Sequence, residues 1–245
     1  MGNEEGIKKQ EFTGKVSAII VAAGKGKRME RDYNKQYIHL GDKPIVAHTL
    51  IHFENHEIID EIIIVVAKGE VEFCRESIVE KYNLSKVRSI VEGGQERYHS
   101  VFKGIKAVSL DSEVILIHDG ARPFVTNEIT NESVVSAVGY GCSIVGMPVK
   151  DTIKTINEEG FVEGTPKREN LWLVQTPQTF KKEIILEAHQ KREKENLSVT
   201  DDAMLVEALG IKVKMIRGSY ENIKITTPED LEFGQVILKR RKTKG

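Results

Sequence analysis

Cysteine is scarce in this sequence: Cys74 and Cys142 are the only two among 245 residues. Two cysteines cannot build a disulfide framework or a zinc cluster, so the chain reads as a protein of a reducing compartment, the cytoplasm. Long apolar runs are missing too. Stretches such as residues 62–67 fall far short of the roughly 20 residues that a membrane-spanning helix needs. The polar start MGNEEGIKKQ has no apolar core for a secretory signal. Nor is there an excess of one charge: 36 Lys and Arg stand against 37 Asp and Glu, a net charge of −1. Bulk composition therefore points to neither nucleic acid nor a membrane as a partner.

What is present is an ordinary globular mix, 40% hydrophobic and 30% charged. At roughly 150 residues per domain the length suits one large domain. A chain of this size buries about three quarters of its unfolded surface and needs no covalent staple. No repeat or low-complexity linker divides it, so a single domain over residues 15–240 is expected. The basic tail KRRKTKG reads as a solvated end.

Apolar runs at 17–22, 61–67 and 113–119 are continuous rather than alternating, as in strands covered on both faces, and 86–92 reads as a further strand. Helical periodicity fills the gaps at 44–56, 70–82 and 96–108. Strand and helix in alternation predict an α/β fold with a mostly parallel sheet. Further on, 201–210 reads as a helix closed by Gly210, followed by a strand at 211–217. Thr227-Pro228-Glu229-Asp230 is a helix start, with a capping hydroxyl, a proline in the first turn and acids at the positive end of the dipole. Residues 149–171 break the rhythm. They have few core residues, a turn-like Asn157-Glu158-Glu159-Gly160 and β-type alternation over 152–156, which predicts a projecting hairpin arm. Such an arm is under-buried alone and suits packing on a second subunit.

Several catalytic classes are absent. The patterns G-x-x-x-x-G-K-[ST], H-E-x-x-H and G-x-S-x-G do not occur, and Met29 breaks a dinucleotide-binding G-x-G-x-x-G. Instead, the first strand delivers the chain to Ala22-Ala23-Gly24, and the loop adds Gly26. In a parallel α/β sheet, loops at the carboxyl ends of strands bind ligands, and small residues let backbone N–H groups approach phosphate oxygens. From Gly24 to Lys35 five cations (Lys25, Lys27, Arg28, Arg31, Lys35) face two acids (Glu30, Asp32), a balance suited to a nucleoside triphosphate. After another strand, Gly93 and Gly94 allow close approach of a flat ligand, with Gln95, Arg97 and Ser100 as polar contacts. Asp119 ends an apolar strand, placed either to hold Mg²⁺ with phosphate oxygens or to cap a turn. Arg122 follows as a partner for phosphate or for Asp119, whereas His118 reads as a packed strand-end histidine. Thr176, Thr200, Asp201 and Asp202 have capping as their default use. Lys224, a lone cation among β-branched residues, points toward an anion. Without a covalent nucleophile, this set suits electrostatic catalysis of phosphorus chemistry.

Taken in order, AAGKGKRM, NKQY, EGGQER, HDGARP, PVKDTIK, QTPQ, TDDA and NIKITTPEDL resemble the 2-C-methyl-D-erythritol 4-phosphate cytidylyltransferase family of the non-mevalonate isoprenoid pathway, from about Ser17 to Leu231. The resemblance implies a Rossmann-like nucleotide-diphospho-sugar transferase fold whose β-arm builds a homodimer. It implies a CTP site formed by Ala22, Ala23, Gly24, Gly26, Gly93, Gly94, Arg97, Ser100 and Asp119, with Asp119 beside Mg²⁺. Arg28 and Lys35 match the family's transition-state stabilising pair. Arg168, reaching from the partner's arm, and Lys224 match residues that position the sugar-alcohol phosphate, and Arg122, Thr152, Thr176 and Thr200 match further substrate-side positions. Two departures are mild: Asn34 stands where the family more often has Pro, and Gly120 where it commonly has Ala. The alternative is a ribitol-5-phosphate cytidylyltransferase making CDP-ribitol, which shares most motifs but typically carries AGG and D-S-V-R-P where this chain has AAG and HDGARP. A nucleotide-binding protein without catalysis would have lost Arg28, Lys35 or Asp119, and all three are present.

Overall fold

Apolar strands buried from end to end make the centre of the molecule a sheet. The computed structural model describes residues 12–24, 34–195 and 199–243, and for Lys35 the backbone alone. In chain order the elements begin with β1 (Lys15–Ala22), β2 (His39–Leu40), β3 (Lys43–Pro44), α1 (Ile45–Glu54), β4 (Glu61–Val66), α2 (Val71–Cys74), β5 (Val87–Glu92) and α3 (Arg97–Ala107). There follow β6 (Ser112–Asp119), α4 (Asn127–Tyr140), β7 (Cys142–Pro148), β8 (Thr155–Ile156), β9 (Val162–Gly164), β10 (Trp172–Lys181), α5 (Lys182–Glu195), α6 (Asp202–Glu207), β11 (Lys214–Arg217) and α7 (Pro228–Lys242).

Seven strands form one sheet in the order β11-β7-β10-β6-β1-β4-β5. All are parallel except β10, which runs against both β6 and β7. Because side chains alternate along a strand, neighbouring residues serve opposite faces. Ala18, Ile20, Ile62, Ile64 and Leu116 pack with α1 and α4 residues such as Phe53 and Val134. Ile19, Ile63, Val65, Ile115 and Ile117 pack with Val101, Ile105, Ile185 and Leu205 from α3, α5 and α6. Both faces are covered, which is why the strand sequences lack polar alternation. A third cluster holds α7 against residues 38–45 and 121–125 through Leu40, Ile45, Phe124, Ile225 and Ile237.

Strand register sets where the loops emerge. Ala22 pairs with Val66, Val66 with Glu92, and Val21 with Asp119. Four parallel strands therefore end along one edge, and their loops open side by side. The chain runs outward from β1 through β4 to β5 and then returns through α3 to β6 on the other side of β1. That reversal creates the crevice in which open α/β sheets bind ligands.

Several elements differ from the sequence expectation. The helix expected over 70–82 is α2 continued by a π-helical stretch, Arg75–Glu80. Cys74 and Ile78 are buried with a spacing that either helical pattern satisfies. The last sheet strand starts at Lys214 rather than Ile211. The arm is a hairpin, with Thr155 opposite Gly164 and Ile156 opposite Val162, but Thr152–Lys154 lie outside its strands. Gly160 closes the turn at φ +86°, a conformation glycine adopts without strain, and its N–H donates to the Asn157 carbonyl. Helix α7 begins as expected, with a reciprocal capping box between Thr227 and Asp230.

Burial lowers the pKa of four of the described histidines, His48 and, more strongly, His52, His118 and His189. Burial holds His52 down to about 3, and His118 and His189 down to about 4. An unfolded histidine titrates near pH ~6.5, so the unfolded chain takes up protons first as pH falls. Their contribution to stability is complete above that value and is lost as pH drops from about 6.5 toward 4. Urea unfolding should show a lower midpoint at pH 5 than at pH 7. His52→Gln, which keeps a hydrogen-bonding group beside Thr130 without a titrating ring, should flatten that dependence by up to about 1.4 kcal/mol per pH unit.

Candidate active site

The aligned loop ends enclose a cleft of about 860 Å³. Ala22, Ala23 and Gly24 line it from the loop after β1, Gly93, Gly94, Arg97 and Ser100 from the adjoining loop after β5 and the start of α3, and Asp119 and Lys224 also face it. These nine were expected from the sequence at a ligand site, and the fold brings them together. Gly26 and Arg28 lie outside the described residues, as does the Lys35 side chain. The Lys35 backbone opens a short 3₁₀ turn, Lys35–Tyr37, at the rim.

Asp119 organises the floor. It is 6% exposed, and burial alone would push its carboxyl up. Lys224, Arg97 and Arg122 outweigh that and hold it well below the usual carboxylate range. Oδ2 meets Lys224 Nζ at 2.9 Å and Arg122 Nε at 3.4 Å, while Oδ1 faces Arg97 Nε at 3.7 Å. The Asp119 N–H donates to Thr176 Oγ1 at 3.0 Å. Thr176 is 3.2 Å from His118 Nδ1, and His118 Nε2 is 3.0 Å from the Arg122 carbonyl. A carbonyl only accepts, so Nε2 carries the proton and Nδ1 accepts from Thr176. His118 is thus a packed, neutral histidine, as the sequence suggested. Arg122 and Thr176 stand behind Asp119, and Arg122 Nη1 also donates to the Asn222 carbonyl at 2.8 Å.

The glycine pair also serves the packing of the protein itself. A Cβ on Gly93 would come within 2.6 Å of Ala23 Cβ and 2.7 Å of Ser100 Oγ, and one on Gly94 within 2.3 Å of His99 Cβ. The glycines let the two loops and the start of α3 meet. Ser100, 3% exposed, accepts from the Gly94 N–H and donates to the Glu96 carbonyl, fixing that loop.

Sequence reasoning missed several contributors to the cleft, among them Gln36, Lys68, Glu96 and Lys103. Gln36 is buried and donates to the carbonyls of Ala22 and Gly24, tying the rim turn to the end of β1. It sat unread inside NKQY. Lys68 and Lys103 also line the cleft, and nothing in their local sequence separates them from surface lysines. Conversely, Thr200 is exposed and its hydroxyl meets Met204 Sδ at 3.0 Å. Thr152 and Arg168 lie exposed on the arm, where Arg168 Nη1 donates to the Lys150 carbonyl at 2.6 Å. These three do not line the cleft of the single chain.

Among the described residues no three His, Cys, Asp or Glu side chains gather as a metal cage. A divalent cation here would have one buried carboxylate, Asp119, and would draw its other oxygens from a phosphate ligand and water. Magnesium commonly binds beside nucleotides in that way, so the donor set fits it. No described helix is long and apolar enough to cross a membrane.

The family profile described as 2-C-methyl-D-erythritol 4-phosphate cytidylyltransferase matches residues 16–240. A protein of that name from Alkaliphilus oremlandii is 58% identical over 95% of this chain and 98% of its own length. Another from Clostridium novyi is 52% identical over 92% of this chain and 97% of its own. Among solved structures, 4-diphosphocytidyl-2C-methyl-D-erythritol synthase from Anaerococcus prevotii superposes with a TM-score of 0.82 at 37% identity, over 92% of this chain and 96% of that one. The Thermus thermophilus cytidylyltransferase gives 0.76 at 30% identity, over 92% and 99%. With the motifs, the sheet order and the cleft in agreement, this chain belongs to the 2-C-methyl-D-erythritol 4-phosphate cytidylyltransferase family.

Proposed function

We propose that the chain transfers CMP from CTP to 2-C-methyl-D-erythritol 4-phosphate, giving 4-diphosphocytidyl-2-C-methyl-D-erythritol and pyrophosphate. The observation that carries this reading is the buried Asp119 carboxylate, ringed by Lys224, Arg97 and Arg122, on the floor of a cleft between two small-residue loops. An oxygen of the phosphate monoester attacks the α-phosphorus in line. The bond from that phosphorus to the bridging oxygen breaks, and the electron pair leaves on pyrophosphate. The nucleophile is already an anion, so no general base is required. Lys224 stands at the floor to offset charge on the crowded phosphorus, and Arg28 and Lys35, by their motif positions, act from the glycine-rich loop. Asp119 would hold Mg²⁺, whose chemistry is to neutralise phosphate charge. Removing one such cation costs on the order of 3 kcal/mol, so Lys224→Ala should lower kcat/KM about a hundredfold.

The active form is a homodimer joined through the arm. Ile156, Phe161 and Val162 are 61%, 68% and 60% exposed, an apolar strip that a single chain leaves in water. Arg168 and Thr152 reach substrate from the partner's arm. Light scattering should give twice the chain mass at micromolar concentration. Phe161→Asp should yield a monomer with most of the activity gone, whereas a wild-type monomer would refute the dimer.

The function itself is tested by pyrophosphate release with Mg²⁺ and each nucleotide in turn. Release should require CTP together with methylerythritol phosphate. Release with ribitol 5-phosphate instead would reassign the acceptor.

A further inference from the structure

Asp202 has no place in the proposed reaction, and its position in the fold is unusual. The sequence assigned it to helix capping, but Asp201 is the residue that caps α6, accepting from the Met204 N–H at 3.0 Å. Asp202 instead points inward and is completely buried. Its Oδ2 takes Arg97 Nη1 at 2.6 Å, while its Oδ1 has no hydrogen-bond partner among the described residues. The backbone holds it there: the N–H groups of Asp202 and Ala203 both donate to Gln178 Oε1, and Gln178 Nε2 donates to Asp201. A buried carboxylate with one oxygen unsatisfied costs stability. A local rule broken in this way, next to a cleft, marks a functional constraint.

The geometry around Asp119 shows what the constraint does. Its Oδ2 is engaged by Lys224 and Arg122, whereas among the described residues its Oδ1 faces Arg97 Nε at 3.7 Å, outside hydrogen-bond reach. Arg97 is therefore shared between two carboxylates and sits closer to Asp202. We infer that Asp202 is a positioning residue: by taking Nη1 of Arg97 it holds that guanidinium off Asp119 and keeps Asp119 Oδ1 open to the divalent cation that accompanies the nucleotide. Without the Asp202 charge, Asp119 is the carboxylate left within ion-pair distance of Arg97 among the described residues. Arg97 then closes on Asp119 and competes for that oxygen. This inference rests on the proposed cytidylyl transfer.

The test is calorimetric binding of CTP in two buffers, one with magnesium chloride and one with EDTA. For Asp202→Asn the affinity in magnesium should fall about tenfold, the size typical of losing support to a metal ligand, while the affinity in EDTA stays within about twofold of wild type. In an Arg97→Met background, Asp202→Asn should change neither value. A structural role would lower both affinities together. That result, no loss in either buffer, or an Asp202→Asn effect that persists without Arg97 would each overturn the inference. Should Asp202→Asn fail to give a cooperative melt, Asp202→Ser carries the same comparison. Wild-type protein that binds no CTP in magnesium would instead overturn the functional reading on which the inference stands.

Discussion

A carboxylate buried at the end of a strand must be paired, and in this protein the pairing of Asp119 ties distant parts of the chain to one point. Its partners come from the first turn of α3, from the loop after β6 and from the segment after β11. Leaving such a group uncompensated would cost several kcal/mol. The cleft floor is therefore coupled to the register of the sheet. A slip of β6 against β1 would move Asp119 away from Lys224 and Arg97 and leave its buried carboxylate short of partners, while Arg97 would keep Asp202. Stability and site geometry draw on the same interaction.

The single reversed strand follows from the same requirement. β7 ends and β10 begins on the edge where the parallel strands deliver their loops, so the excursion between them, the arm, leaves the sheet beside the cleft. Running backward, β10 brings the Thr176 hydroxyl behind Asp119 and Gln178 beneath the start of α6. One antiparallel element thus supports the back of the site and anchors the projection that carries Arg168.

Much of this was legible in the residues. Continuous β-branched runs gave the parallel strands because sheets covered on both faces leave no polar alternation. Asp119 stood out because a charge at the end of a buried strand needs a reason, and Lys224 as a lone cation among β-branched residues, although residues 222–226 form no strand. The antiparallel β10 did not stand out, since Pro177 argues against a strand interior and the register shifts between Val174 and Gln178. Asp202 was hidden by its neighbour: in a Thr-Asp-Asp run before a helix one acid caps, and only the backbone direction decides which. Gln36, Lys68 and Lys103 carry no local signal, because their roles depend on which loops the sheet order makes adjacent.

The glycines show how a motif can be read correctly for place and incompletely for cause. Gly93 and Gly94 were expected to admit a ligand, yet the atoms a side chain would strike first are Ala23, Ser100 and His99 of the protein itself. The small residues let the wall after β5 close on the wall after β1, and this sets the width of the cleft before any ligand enters. Ala23 and Gly93 then act as one constraint shared by two motifs some 70 positions apart. Enlarging either would force the two loops apart, so AAG and EGGQER belong together in this fold because the Ala23 side chain packs against Gly93.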